Sequence, residues 1–328
     1  MKKITVSVLL CTLLLSASFP GVQNLSAQNA RPDIDENQCV IPFRMVYKLM
    51  TIEVTINGIT GYLCIDTGIE GLVIRDTYFK GGRTDRAFMS SNGKTVDVGY
   101  TPANVQFACL SIDIRSARVM NLDHLIPNQS TRVLGLAGWD VFKGYELRIN
   151  LQNSVLQLFK LDEKGNRIGR EETPVAPLFS IPFRFKGPLP CVQAEIGERE
   201  MHLILDTGAS VNVMRKTLYS KLSPYSSFLK TVRLREWDNQ TSDVPMTEVS
   251  GMTLGAVQLE SMHTVWYDLS GLNAELGGTS IDGVLGQQLM KQYLLAINFA
   301  KLEVSFYHYE NVQSGDVVNH DSERTSNE

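Results

Sequence analysis

The chain is poor in the residues that build metal centres and redox pairs. It holds five cysteines and five histidines in 328 residues. No two cysteines stand in CxxC spacing. His124, His202, His263, His308 and His320 show no ligand pattern, so neither a zinc site nor a dithiol pair is supported. A basic excess is also missing: 31 Lys and Arg stand against 35 Asp and Glu, a net charge of -4. That balance argues against a nucleic-acid partner. No G-x-S-x-G elbow and no phosphate-binding loop occur. Beyond the N-terminus no apolar run reaches the length of a membrane span. What remains is 43% hydrophobic and 20% charged, a composition able to bury a core, at a length suited to roughly two domains.

The first residues read as a targeting segment. Met1-Lys2-Lys3 is a positive start, Ile4 to Phe19 is apolar, and Ala27 before Gln28 is a plausible cleavage point, with Ala30 the other. Cys11 lacks the preceding small residue that a lipid-modified cysteine needs, so residues 1–27 are expected to be a signal peptide of an exported, periplasmic or secreted protein. The mature chain would carry 29 basic against 35 acidic residues and four cysteines, Cys39, Cys64, Cys109 and Cys191. An exported chain can form disulfides, and four cysteines allow three full pairings that sequence does not choose among. Cys64 sits in an apolar run and also reads as a buried thiol.

The chain repeats itself. Ile41-Pro42-Phe43-Arg44 recurs as Ile181-Pro182-Phe183-Arg184, and Asp66-Thr67-Gly68 recurs as Asp206-Thr207-Gly208, both at an offset of 140. Across 41–74 and 181–214, eleven of 34 positions are identical without a gap. Gly135-Leu136-Ala137-Gly138 is matched by Gly283-Val284-Leu285-Gly286, and Leu147 to Asn150 by Leu295 to Asn298. This is a duplicated domain. Each copy reads mainly as strands, with short helical signal at Trp139 to Lys143 and Gln287 to Tyr293. The expected division is a first unit over 38–160, a linker over 161–178, a second unit over 179–312 and a polar, disordered tail over 313–328.

One Asp-Thr-Gly at a strand end is an ordinary turn. Two, at the same place in a duplicated unit, suggest a two-fold arrangement that brings Asp66 and Asp206 face to face. Two carboxyls so close share a proton, hold a water between them and can hydrolyse an amide without a metal. Thr67 and Thr207 supply hydroxyls that can bond across the axis. Gly68 and Gly208 allow backbone to approach the carboxylates.

On these motifs the chain resembles the bilobal aspartic peptidases of the pepsin and retropepsin superfamily. They are Ile65-Asp66-Thr67-Gly68, Leu205-Asp206-Thr207-Gly208-Ala209-Ser210, and the apolar-apolar-Gly elements Leu136-Ala137-Gly138 and Val284-Leu285-Gly286. More narrowly, it is similar to exported bacterial proteins with two retropepsin-like domains. The resemblance covers about residues 40–310. It implies a mainly β fold of two similar acid-protease-like β-barrel lobes with a pseudo-two-fold axis and an interlobe cleft, and peptide-bond hydrolysis without a cofactor. Asp66 and Asp206 would be catalytic, and Ser210 would support the second aspartate through its hydroxyl. The first copy departs from the pattern with Ile69-Glu70. Glu70 reads as a solvated loop residue; turned inward, it would add like charge to the dyad.

The resemblance also implies a flap after the first motif. Asn92-Gly93 is the best hairpin signal there, as good an ordinary surface hairpin, and Trp237-Asp238-Asn239 is its vaguer counterpart. A peptide or protein substrate would lie extended in the cleft. Both half-sites lie in one chain, so a monomer suffices. The competing reading is an inactive acid-protease scaffold that binds peptides or a partner.

Overall fold

The computed structural model describes residues 14–15, 37–83, 88–89, 95–96, 98–123, 131–169, 175–235, 241–277 and 280–309. The expected flap turn Asn92-Gly93, its counterpart Trp237-Asp238-Asn239 and the tail over 313–328 lie outside these residues. Phe88–Met89 and Thr95–Val96, on either side of Asn92-Gly93, pair antiparallel.

The protein is mainly β. The first copy contributes β1 (Gln38–Val46), β2 (Leu49–Ile56), β3 (Ile59–Ile65), β4 (Leu72–Arg75), β5 (Gly99–Gln106), β6 (Ser111–Met120), β7 (Val133–Ala137), β8 (Tyr145–Asn150) and β9 (Val155–Lys160). The second contributes β10 (Phe179–Lys186), β11 (Leu189–Ile196), β12 (Arg199–Leu205), β13 (Asn212–Arg215), β14 (Ser226–Arg235), β15 (Thr241–Val249), β16 (Met252–Leu254), β17 (Met262–Tyr267), β18 (Gly283–Leu285), β19 (Leu294–Asn298) and β20 (Glu303–Tyr307).

In the first copy β2, β3, β7, β4, β6 and β5 pair in that order, and β5 returns to β2 through Thr55↔Gln106 and Ile56↔Val105. Six strands thus close a barrel, which leaves no open edge. The alternation of β2 sends Ile52, Val54 and Ile56 inward and Glu53 outward. The second copy repeats the order with β11, β12, β18, β13, β17 and β15, and β16, which follows β15, pairs back onto β11. Registers agree as well: Cys64↔Leu136 becomes Ile204↔Val284, and Val73↔Leu136 becomes Val213↔Val284.

A second sheet joins the copies. Its antiparallel order is β1, β9, β8, β19, β20, β10, three strands from each. β1 and β10 belong to two sheets in succession. Residues 38–42 pair with β9, and from Phe43 the strand pairs with β2. β10 changes partners between Pro182 and Phe183 in the same way. The repeated proline thus stands at the switch, where its missing N–H is tolerated. Beside it Phe43 N donates to Ser154 O (2.8 Å) and Phe183 N to Leu302 O (2.9 Å). Ser154 and Leu302, counterparts in the repeat, both take positive φ, 54° and 55°. One continuous apolar cluster runs through this sheet from Ile41 and Phe43 through Ile149 and Ile297 to Phe183 and Phe306. It holds the two strand ends that carry the repeated motifs. The two helical signals appear as a 3-10 turn over Trp139–Phe142 and a helix over Gln287–Gln292.

The cysteines follow none of the three full pairings. Cys39 is bonded to Cys109, and Cys64 and Cys191 are buried free thiols. Both free thiols lie within strands, Cys64 in β3 and Cys191 in β11. Among the described residues no helix is long and apolar enough to cross a membrane.

Candidate active site

β3 and β12 end at Ile65 and Leu205, and the next residues are Asp66 and Asp206. Each strand lies parallel to a second strand of its own copy, β7 or β18, and the peptide after it is anchored there. Asp66 N donates to Ala137 O and Asp206 N to Leu285 O, both at 2.9 Å. The partner strands carry glycine because backbone crosses them closely. A Cβ on Gly135 would lie 2.0 Å from Val73 O, and one on Gly283 2.3 Å from Val213 O.

The two motifs interlock. Thr67 N donates to Thr207 Oγ1 and Thr207 N to Thr67 Oγ1, each at 3.0 Å. The hydroxyls then donate onward, Thr67 Oγ1 to Leu205 O (2.8 Å) and Thr207 Oγ1 to Ile65 O (2.9 Å). Every bond has its mate under exchange of the copies, and all four are buried. The hydroxyls expected to bond across the axis do so, and they set the distance between the two aspartates.

Gly68 N donates to Asp66 Oδ1 (2.9 Å) and Gly208 N to Asp206 Oδ1 (2.7 Å). Each glycine also faces the opposite carboxyl. A Cβ on Gly68 would stand 2.6 Å from Asp206 Cγ, and one on Gly208 2.7 Å from Asp66 Cγ. Any side chain at either position would collide with the dyad. Asp66 and Asp206 are 0% and 1% exposed, and the two side chains share a hydrogen bond.

Their electrostatics differ. Burial first, then the Asp206 charge and the shared hydrogen bond, push the Asp66 carboxyl well above the usual carboxylate range. Among the described residues Asp66 Oδ2 is buried without a hydrogen-bond partner. Burial raises Asp206 too, but the hydrogen bond from Asp66 and the amides of Gly208, Ala209 and Gly68 favour its ionised form and hold it at about 6. The pair therefore keeps one proton over a range in which ordinary carboxyls have none, with Asp66 its favoured carrier.

Ser210 is half-buried. Its carbonyl accepts from Gln288 Nε2 (3.3 Å), and Asp206 is held by backbone amides, with no bond from the Ser210 hydroxyl. Glu70 is exposed, so the solvated reading of that residue holds and no third acid enters the dyad. Ile69 is fully buried.

Two residues escaped the sequence reading. Trp139 and Gln287 each follow the last glycine of the repeated element. Trp139 Nε1 donates to Pro188 O (2.8 Å), in the β10–β11 hairpin of the other copy. Gln287 Nε2 donates to Lys48 O (3.0 Å), in the β1–β2 hairpin, and to Thr207 O (3.1 Å). Lys48 and Pro188 are 140 apart, the offset of the motifs. The signal was available: one position after a repeated glycine, twice, a long side chain with an N–H donor.

Residues 192–289 match the family model of the aspartyl proteases. That segment contains Asp206-Thr207-Gly208 and Gly283 to Gly286. No curated protein matches the chain. Among solved structures, soybean basic 7S globulin is similar with a TM-score of 0.51 at 11% identity, over 87% of this chain and 99% of that one. At that identity the likeness is one of fold. The chain therefore has an acid-protease-like fold, with an aspartyl-protease-type domain in its second half.

Proposed function

We propose that the chain is an aspartic endopeptidase in which Asp66 and Asp206 activate a water against a peptide carbonyl. The observation that carries this reading is the interlocked pair of motifs, which sets two buried carboxyls side by side with different proton affinities. Asp206, ionised, takes a proton from the water as its oxygen bonds to the carbonyl carbon. Asp66 gives its proton to the carbonyl oxygen. The resulting gem-diol collapses when Asp206 passes its proton to the amide nitrogen, one hydroxyl returns a proton to Asp66, and the C–N bond breaks. The dyad again holds one proton, and no cofactor takes part.

In this reading the two copies form two lobes of a monomer and the substrate peptide lies extended in the cleft between them, covered by the hairpin around Asn92-Gly93. Export to the periplasm or beyond fits the Cys39–Cys109 bond, which needs an oxidising compartment. The competing binding-protein reading drew on Glu70, and Glu70 faces solvent. Cleavage of fluorescein-labelled casein by the mature chain, beside Asp66→Asn and Asp206→Asn, tests the proposal. Turnover by wild type and none by either variant is expected. Persistent cleavage in Asp66→Asn would remove the first motif from the mechanism. Binding of casein without cleavage by wild type would favour the binding protein.

A further inference from the structure

The two copies fasten the loop behind their aspartates differently. In the second copy the ψ-shaped crossing is tied by a side chain: Asn212, fully buried, accepts at Oδ1 from Gly286 N (2.9 Å). Its counterpart in the first copy is Leu72, which has no polar atom to offer. Gly138 N donates instead to the backbone oxygen of Gly71 (2.8 Å). To present that oxygen Gly71 adopts φ 79°, open to glycine and strained for other residues. Val211, at the same place in the second copy, stays in the ordinary region.

The peptide unit between Glu70 and Gly71 is then gripped at both ends. Arg118 Nη2, from β6, donates to Glu70 O, and Asp140 Oδ1, from the turn after Gly138, accepts from Gly71 N. Arg118 lies against Gly71, with Nη2 3.6 Å from where a Cβ would be. Trp139 N donates to Ile69 O (3.2 Å). Three successive carbonyls and one amide, three to five residues from Asp66, are all held. Among the described residues of the second copy nothing repeats the two-ended grip: the residue at the place of Asp140 is Gln288, whose Nε2 donates to Ser210 O (3.3 Å).

We infer that Asp140 and Arg118 are positioning residues for Asp66, replacing by a clamp on the Glu70–Gly71 peptide the side-chain tie that Asn212 gives the second copy and that Leu72 cannot make. This rests on the peptidase reading for its function and on the geometry alone for its mechanics. Both side chains hold the Glu70–Gly71 peptide unit, one at its oxygen and one at its nitrogen, and so fix its orientation. Fixing a loop directly behind an acid matters because catalysis falls steeply with small displacements of a reacting group.

The test uses the mature chain, with fluorescein-labelled casein as substrate and, separately, the titration of the Asp66 carboxyl followed by carbon-13 NMR on aspartate-labelled protein, assigned with Asp66→Asn. Asp140→Ala should lower kcat by about 10- to 100-fold, with KM within about twofold and the Asp66 titration displaced. Asp140→Asn still offers Oδ1 to Gly71 N and should stay within about threefold of wild type, with its titration unmoved. Wild-type kcat and titration in Asp140→Ala, or equal damage in Asp140→Asn, would overturn the inference. If Asp140→Ala does not fold, Arg118→Lys against Arg118→Met decides it by the same two readouts: the lysine variant should keep the Asp66 titration and the methionine variant displace it. A wild type that cleaves nothing defeats the peptidase reading, and the NMR titration still answers the question of position.

Discussion

Arg148 lies directly opposite Ala296 in the antiparallel ladder between β8 and β19, and the two occupy the same position of the repeat. A residue facing its own counterpart is what a local two-fold axis through the ladder requires. The neighbouring pairs obey it: Leu147 faces Ile297 and Ile149 faces Leu295. So do the turns beyond: Asn153 N donates to Asn150 Oδ1 and Lys301 N to Asn298 Oδ1, each at 2.9 Å. The same exchange relates the Thr67 and Thr207 bonds. Two sites so placed make the dyad a consequence of the repeated strand register and hydrogen bonds.

Equivalence of the threonines sets a stability prediction. Thr67→Ala leaves Thr207 N and Leu205 O without partners, and Thr207→Ala leaves Thr67 N and Ile65 O. Each orphaned buried group costs about 1–3 kcal/mol. The two variants should lose about 2–6 kcal/mol apiece by denaturant unfolding, equally within error. Serine at either position keeps both bonds and should cost little. Unequal losses would mean that the two halves of the interlock differ.

Much of this was legible because the two repeated segments are identical at some positions and different at the rest. Ile-Pro-Phe-Arg and Asp-Thr-Gly stayed identical where a strand changes sheets and where backbone meets carboxyl, places with one chemical solution each. The Gly135 and Gly283 elements survived for the same steric reason. The clamp on Glu70–Gly71 was not legible, since Arg118 and Asp140 lie 48 and 69 or 70 residues away and the other copy uses Asn212 and Gln288 instead. Repeat comparison finds what is shared and misses what replaced it. The Cys39–Cys109 bond was hidden because it depends on the approach of the strand start to the turn after β5, which spacing does not encode.

The cysteines can be counted by reagent. Cys64 and Cys191 are buried, and burial pushes both thiols up, Cys191 to about 12, so neither should react in the native mature chain. Unfolding without reductant should expose two thiols and with reductant four. Cys39 and Cys109 close 70 residues of chain, so reducing them should cost about 4 kcal/mol of stability. A native chain that titrates two thiols would contradict the packing of β3 and β11.

The proposed mechanism ties cleavage to the dyad's protonation. It needs Asp206 ionised and Asp66 protonated; Asp206 is held at about 6 and Asp66 is pushed well above the ordinary carboxylate range. The rate should therefore rise through about pH 6 and fall at higher pH as the second proton leaves, the two limbs belonging to the pair. An acid limb near pH 4, measured by casein cleavage across buffers, would show that the carboxyls are more hydrated than their burial implies. A chelator should leave the profile unchanged.

Stability should respond to the same two groups with a definite sign. Both carboxyls titrate higher in the folded chain than in the unfolded one, whose aspartates ionise near the ordinary value of 3.8. Below that value both states are protonated and the dyad contributes its full stability. As pH rises toward about 6 the unfolded chain has released protons that the folded chain still holds, so stability falls, and it keeps falling until Asp66 also ionises. Burial is the cause that raises Asp206, so carrying its charge in the folded chain at neutral pH costs stability. Asp206→Asn removes that charge while keeping the shape of the side chain and an oxygen for Gly208 N. The variant should be inactive yet more stable than wild type at pH 7, with the advantage shrinking as pH falls toward 4. Thermal unfolding of both proteins at pH 4, 6 and 7 measures it. An Asp206→Asn chain less stable than wild type at pH 7 would mean that Asp206 is stabilised as an anion in the folded protein, and the buried, proton-sharing dyad would have to be given up.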